Sequence, residues 1–341
     1  MAQIRLAQYG VKHGHAAGKA RAMQTNSDVE LVGIYEPDQA LWPRLQESPA
    51  YAGMRWLRSA DELLGDPSIV AVAIEGANHE SLAMAREAMA AGKHLWLDKP
   101  AGDDWDDFQQ LIAEAQARQR QVQMGYMFRY AHGFRQIDRW VKDGLLGEVF
   151  GLRAHMSTWL PVSSAGSTAT ARADIASHHG GGIFYDLGGH MLDQVIWLLG
   201  RPERVTSFLR NDQTPETPAF ADNTLAVFEF ARAMATVDIA AMESRPTARR
   251  FEVYGTHGSA ILEPFEPAAQ LRLCLEAASG SYSAGAQAVP VPVQTRQEMY
   301  ELELAAFVET LRGQRPPDRP LFHELLVQET LLRATGSLAS G

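Results

Sequence analysis

The sequence predicts a chain in two parts. The first is an α/β half with a doubly wound parallel sheet, and the second is an α+β half on an open, mostly antiparallel sheet with helices on one face. Three observations predict it. A length of 341 residues leaves room for two domains of ordinary size, each able to bury a core. From Ile4 to Tyr126 short apolar runs alternate with amphipathic stretches, the pattern of strands and crossover helices in a parallel sheet. Beyond Tyr126 two-residue alternation takes over, in segments close enough in sequence to pair with one another. The break is expected between residues 125 and 126, giving domains 1–125 and 126–341, with the C-terminal helices able to pack back on the first.

In order along the chain, Ile4–Tyr9 reads as a strand, followed by a glycine-rich turn and an alanine-rich helix. Residues 31–35 read as a second strand ending at Glu36, and 69–74, 94–98 and 122–126 as further strands. Trp105, Phe108, Ile112 and Ala115, three and four residues apart, make one helical face. A helix around 134–141 leads into the alternating segments 149–156, 205–209, 224–230, 235–240, 250–254 and 259–262, with a tight connection at residues 254–259. Within this half, residues 184–199 read as a helix with Leu192, Val195, Ile196 and Leu199 on one face and Gly200 as its stop. Two more helices, 299–311 and 321–332, close the chain around Gly313 and a proline-rich turn. The polar stretches 162–173 and 211–221 read as surface loops, the first bordering a site.

With 31 Lys and Arg against 41 Asp and Glu the formal charge is −10, which opposes binding to nucleic acid or an anionic membrane. The single cysteine, Cys274, excludes an internal disulfide and any cysteine cluster for a metal. The first residues lack the pattern of a secretion signal and no run of about 18 apolar residues occurs, so a cytoplasmic location is expected.

Gly10-Val11-Lys12-His13-Gly14-His15 follows the first strand and opens a helix, where a dinucleotide's pyrophosphate would meet free backbone N–H groups. The G-x-G-x-x-G pattern reads Gly10, Lys12, His15, so only the first glycine is in register, and a plain strand-to-helix turn that binds nothing stays open on this segment alone. Glu36, at the end of the second strand, can accept from both ribose hydroxyls and repels a 2′-phosphate; this favours NAD over NADP, with Lys12 softening the preference. Lys99, in Asp98-Lys99-Pro100, stands at the C-terminal end of a central strand, where ligands of open parallel sheets bind. In the segment from Gly180 to Asp193, Asp186 and His190 are four apart, so the carboxylate can orient the imidazole and raise its basicity. A metal site using His178 and His179 with this pair is the weaker reading, because no fixed ligand spacing is matched, and no metal is expected.

Taken in order, these motifs, with Ala91-Gly92-Lys93-His94, residues 125–130, residues 144–149 and residues 254–259, resemble the Gfo/Idh/MocA oxidoreductases over nearly the whole chain. The resemblance implies a Rossmann domain that binds dinucleotide, a second domain for substrate and oligomerisation, and NAD(P)-dependent oxidation or reduction of sugars, polyols or their derivatives. By position Lys99 matches the lysine of the family's Glu-Lys-Pro motif, here spelled with Asp98, and Asp186 and His190 match its catalytic pair. Lys12 and His15 replace fingerprint glycines, and Glu75-Gly76-Ala77-Asn78-His79 lacks the usual Thr-Pro or Ser-Pro before the asparagine.

The expected function is therefore an NAD-dependent dehydrogenase acting on a secondary hydroxyl or ketone of a sugar, sugar derivative or cyclitol. Lys99, Asp186 and His190 would be catalytic. Gly10, Lys12, His13, Gly14, His15, Glu36, Asn78 and Lys99 would hold the cofactor, and Tyr126, Arg129 and Trp159, with Asp186 and His190, would line the substrate site. Two alternatives stand behind it: a redox-neutral epimerase, lyase or glycosidase that recycles NAD, and a non-catalytic dinucleotide or sugar sensor. Apolar residues on both alternating sets of 225–230 and 236–240 predict a homodimer or homotetramer.

Overall fold

The structure is a computed structural model and describes residues 2–160, 180–213 and 220–339. The chain divides into two units, Met1–Met127 with Arg296–Leu325, and Phe128–Thr295 with Leu326–Gly341.

Five short strands form the sheet of the first unit: β1 (Ile4–Tyr9), β2 (Val29–Tyr35), β3 (Ala71–Ile74), β4 (His94–Leu97) and β5 (Val122–Met124). All neighbours are parallel and the order is β2-β1-β3-β4-β5. Burial on both faces explains the near-continuous apolar runs; β3, Ala-Val-Ala-Ile, is buried at every position. Some of the crossover helices begin at a short polar side chain that caps them. Asp104, for instance, accepts from the Asp107 N–H at 2.9 Å at the start of the helix Trp105–Ala117, which buries Phe108, Leu111, Ile112 and Ala115. The first helix, α1 (Ala16–Thr25), packs against the helix Arg296–Leu311, and a Cβ on Gly18 would lie 2.5 Å from the Tyr300 ring. The strand order reverses between β1 and β3, so the loops after these strands flank the crevice where ligands of such sheets bind.

The second unit carries an eight-stranded sheet: β6 (Val149–His155), β7 (Arg204–Arg210), β8 (Asn223–Glu229), β9 (Met234–Ala240), β10 (Arg250–Gly255), β11 (Gly258–Leu262), β12 (Gln270–Leu275) and β13 (Gly285–Pro290). The order is β13-β12-β11-β10-β6-β9-β8-β7, antiparallel throughout except for the β6–β9 pair. Alternation sends Ala235, Val237 and Ile239 of β9 inward against the long helix Gly182–Leu199. On the other parity Phe208, Leu225 and Met234 are exposed, with Phe208 directly opposite Leu225. Phe128, Phe134, Phe251 and Phe265 make a ring cluster inside the unit, at centroid separations of 4.9–6.0 Å.

Two strands go beyond the sequence reading. β12 alternates Leu271, Leu273 and Leu275 with polar partners, a legible signal that was missed. β13, Gly-Ala-Gln-Ala-Val-Pro, has little strand propensity and exists because β12 offers it a ladder at the sheet edge. The long helix starts at Gly182 rather than at residue 184. Gly182 has a φ of +53°, and a Cβ there would lie 2.2 Å from the Ala221 oxygen, so no other residue fits that start. The loop 162–173, most of the loop 211–221, and His178 and His179 lie outside the described residues.

Candidate active site

Between β1 and α1 the chain turns through Gly10 to His15. Gly10 has a φ of +88°, and a Cβ on it would lie 2.6 Å from the Gly76 nitrogen. Its N–H donates to the Tyr35 oxygen at 2.7 Å, and the His13 N–H donates to the Glu75 oxygen at 3.1 Å, which ties the loop to the ends of β2 and β3. Gly14 is exposed and a Cβ there would meet nothing, whereas Gly18 is needed where α1 meets Tyr300. The three duties of fingerprint glycines are a tight turn, an open approach for the ligand and close helix packing. Here they fall to positions 10, 14 and 18 rather than to 10, 12 and 15. The cradle at the N-terminus of α1 thus fits a dinucleotide's pyrophosphate despite the altered spelling.

Several residues expected around this loop do something else first. Lys12 pairs with Glu80 at 2.6 Å, so its charge is compensated rather than offered to a phosphate. The Glu36 carboxylate is fully buried; its Oε2 accepts from the Val11 N–H and its Oε1 from the Asp38 N–H, each at 2.9 Å. Glu36 therefore fixes the loop, with one further lone pair on each oxygen for any ribose hydroxyl. Burial raises its pKa, against the pull of those two N–H groups. Asn78 is half-buried just before the helix Ser81–Ala90.

The side chains of His13 and His15, two of the residues expected to hold the cofactor, make contacts within the protein. Both turn inward to carboxylates that follow β3 and β4. His15 Nδ1 lies 3.1 Å from each oxygen of Asp98, and His13 Nδ1 lies 3.4 Å from Asp98 Oδ2 and 3.6 Å from Glu75 Oε2.

Beneath them Lys19, which the sequence reading passed over, is wholly buried, with Nζ 2.8 Å from both Glu75 Oε1 and Asp98 Oδ2 and 4.4 Å from the centre of the Trp96 ring. Gly125 leaves room for this hub, since a Cβ there would lie 2.8 Å from Asp98 Oδ1. Burial pushes the Asp98 carboxyl up, but His13, His15 and Lys19 outweigh it and hold the group well below the usual carboxylate range. Burial raises Glu75 against the pull of Lys19, pushes His15 down to about 4, and pushes nearby Glu303 up to about 8. Asp98 Oδ1 also accepts the Lys99 N–H at 2.7 Å, so the hub holds the backbone of the expected catalytic lysine, itself nearly buried. A charge placed straight after an apolar strand, as at Glu75 and Asp98, is the signal that could have revealed the hub.

In the second unit Asp186 and His190 share the helix Gly182–Leu199, one turn apart. Asp186 is half-buried; His190 is 1% exposed, edge-on to Phe128 at 5.2 Å. Arg129 is one of the residues expected to line the substrate site. It is 2% exposed and forks onto Asp193, Nε to Oδ2 at 3.0 Å and Nη2 to Oδ1 at 2.5 Å, with the guanidinium 3.9 Å from the Trp197 ring centre. A bidentate buried pair anchors the segment after β5 to the long helix, so Arg129 serves packing. Tyr126, in the first unit, is likewise buried, its ring under the Arg319 guanidinium, which binds Glu324 at 2.9 Å. Trp159 is 45% exposed, bridged to Met242 and 5.9 Å from the Arg245 guanidinium. The structure thus gathers the loop residues and Asp98-Lys99 in one unit and Asp186 and His190 in the other, and draws Arg129 and Tyr126 into the cores.

A parallel sheet with a glycine turn shaped for pyrophosphate, joined in one chain to an open antiparallel sheet, defines a class of two-unit dinucleotide-binding proteins. Comparison with known proteins gives the family. Residues 9–126 match the family model described as the oxidoreductase family with an NAD-binding Rossmann fold, and residues 134–261 match the Gfo/Idh/MocA C-terminal domain. The chain belongs to the Gfo/Idh/MocA family. Among curated relatives, the uncharacterised oxidoreductase YhhX of Escherichia coli is 26% identical over 51% of this chain and 48% of its own length. The uncharacterised ORF334 of Rhizobium meliloti is 29% identical over 76% of this chain and 74% of its own. Several alignments thus span about half of the relatives' length or less, as with YdgJ of Escherichia coli at 31% identity over 40% of that protein. Among solved structures, an oxidoreductase from Agrobacterium radiobacter in complex with NAD+, L-tartaric acid and magnesium superposes with a TM-score of 0.81 at 16% identity, over 98% of this chain and 96% of that one. An NAD-binding oxidoreductase from Klebsiella pneumoniae gives 0.82 at 17%, over 99% and 97%.

Proposed function

We propose that the protein is an NAD-dependent dehydrogenase that acts on a secondary hydroxyl or ketone of a sugar, sugar derivative or cyclitol in the cytoplasm. The observation that carries this reading is the Asp186–His190 pair, a carboxylate and a nearly buried imidazole one turn apart on the helix Gly182–Leu199. His190 takes the hydroxyl proton, Asp186 orients its ring, and Lys99, with its backbone held by Asp98, supplies positive charge for the developing alkoxide. Bound NAD supplies the hydride acceptor, and Gly10, Gly14, Glu36 and Asn78 are the residues we assign to holding it. The first unit is read as the dinucleotide-binding part and the second as the substrate-binding part.

The test is a panel of sugars, polyols and inositols with NAD, read at the absorbance band of reduced nicotinamide. Reduction by a member of the panel is the expected result. Silence across the panel with NAD binding confirmed would overturn the assignment. Substrate consumption without NADH, accompanied by solvent deuterium in the product, would transfer it to a redox-neutral reaction.

Self-association belongs to the same reading. Phe208 and Met234, 58% and 56% exposed, share the open sheet face with Leu225 and with His155, which binds Asp238 and lies 3.2 Å from Glu243. An apolar patch rimmed by charge is the usual form of a protein interface. Light scattering is expected to give a dimer or tetramer, and Phe208→Lys is expected to shift it toward the 37.5 kDa monomer.

A further inference from the structure

The sequence reading expects no metal, yet the inward turn of His13 and His15 assembles a ligand set that the proposed dehydrogenase does not use. One ligand atom each from His13, His15 and Asp98 all lie within 4.8 Å of one another, and among the described residues no other three His, Cys, Asp or Glu ligand atoms do so. We propose that His13, His15 and Asp98 form a binding site for one divalent transition-metal ion, of the zinc or cobalt class, at the root of the nucleotide loop.

The spacing carries the proposal. Bonds of about 2.0–2.2 Å from zinc to histidine nitrogen and carboxylate oxygen put tetrahedral ligand atoms roughly 3.3–3.5 Å apart. The separations here are 3.1 Å from His15 Nδ1 to each Asp98 oxygen and 3.4 Å from His13 Nδ1 to Asp98 Oδ2. The two 3.1 Å separations fall within the range of ordinary hydrogen bonds and the 3.4 Å separation beyond it, and all three lie near the edge of such a tetrahedron. Two histidines and one carboxylate are borderline donors that suit zinc, cobalt or iron rather than calcium or magnesium, and three protein ligands leave a position open for water or a small anion.

The surroundings are those of an oriented site. Asp98 is held by Lys19 at Oδ2 and by the Lys99 N–H at Oδ1, and Glu75 Oε2, 3.6 Å from His13 Nδ1, brings a second carboxylate beside the site. One competitor is present: the His15 N–H donates to His13 Nδ1 at 3.2 Å, a long bond that the ion would displace. Lys19 adds a positive charge, but it sits between the two carboxylates, which bring two negative charges to the same site. Both rings are largely buried, His13 at 7% and His15 at 11% side-chain exposure, so the site is enclosed rather than a surface cluster.

The experiment uses the full chain, dialysed against a chelator, titrated with Zn2+ by calorimetry and with Co2+ by visible absorption. One ion per chain is expected, with the intense Co2+ bands of a four- or five-coordinate site. His13→Ala and His15→Ala are each expected to weaken binding by at least about a hundredfold, the upper range for loss of a supporting partner alone. His79→Ala, a control outside the cluster, is expected to bind as the parent does. Thermal melting checks that the variants are folded, and NAD binding is measured separately, so a failed metal site and a failed dehydrogenase reading give different results. A Co2+ spectrum that stays that of the aqueous ion, or binding undiminished in both histidine variants, overturns the proposal.

Discussion

Lys19→Met is expected to destabilise the protein by about 3–5 kcal/mol, the cost of stranding buried charge by removing its partner. Methionine keeps the length and the contact with Trp96 but removes the one ammonium that sits 2.8 Å from both Glu75 and Asp98, in a place without solvent access. Against a typical net stability of about 5–15 kcal/mol, this is a third or more of the whole. Chemical denaturation of the variant at neutral pH measures it, and the loss is expected to shrink in acid, where Glu75 can take up a proton. A loss under about 1 kcal/mol at neutral pH would show that the hub relaxes or admits water.

Glu303→Gln probes the same region with the opposite sign. Burial pushes the folded pKa to about 8, from an ordinary value of 4.5, with Lys19 and Arg319 pulling against it. The unfolded chain therefore releases this proton first, and the contribution of Glu303 to stability falls as the pH rises through that window. Glutamine removes the slope, so the variant is expected to gain on the parent as the pH climbs toward 8.

His190→Ala is expected to lower turnover by roughly a hundredfold to ten-thousandfold, the usual contribution of a positioned base, with NAD affinity nearly unchanged. His190 packs edge-on to Phe128 with almost no exposure, so truncation also opens a void, and stability must be followed beside activity. Two readouts separate chemistry from packing. Added imidazole is expected to restore part of the turnover of His190→Ala, and His190→Gln, which fills the space, is expected to be as slow as alanine but better folded. Full turnover in His190→Gln together with collapse in Lys99→Met would move the base to Lys99.

Much of this was legible because it depends on local pattern. Strand β3, Ala-Val-Ala-Ile, and the helix face of Phe108, Ile112 and Ala115 declare themselves through burial periodicity, which the sequence carries directly. Gly10 and the order of motifs were enough to place the chain in its family, and the Asp186–His190 spacing needs only the pitch of a helix. Edge strand β13 was not legible, because its ladder partner rather than its own composition makes it a strand.

The sequence by itself determined most of the strand and helix segments, the turn at Gly10 and the one-turn spacing of Asp186 and His190, since each is written in the pattern of a few neighbouring residues. Tertiary structure alone decided what the charged side chains near them do. Arg129 is a neighbour of Asp193 only across 64 residues, and Lys19, Glu75 and Asp98 meet only because β3 and β4 are neighbours in the parallel sheet and α1 brings Lys19 to the carboxylates that follow them. A charge in sequence carries no sign of whether water or a counter-charge will surround it. The low-dielectric interior makes that difference several kilocalories per mole, and only the folded neighbours settle it.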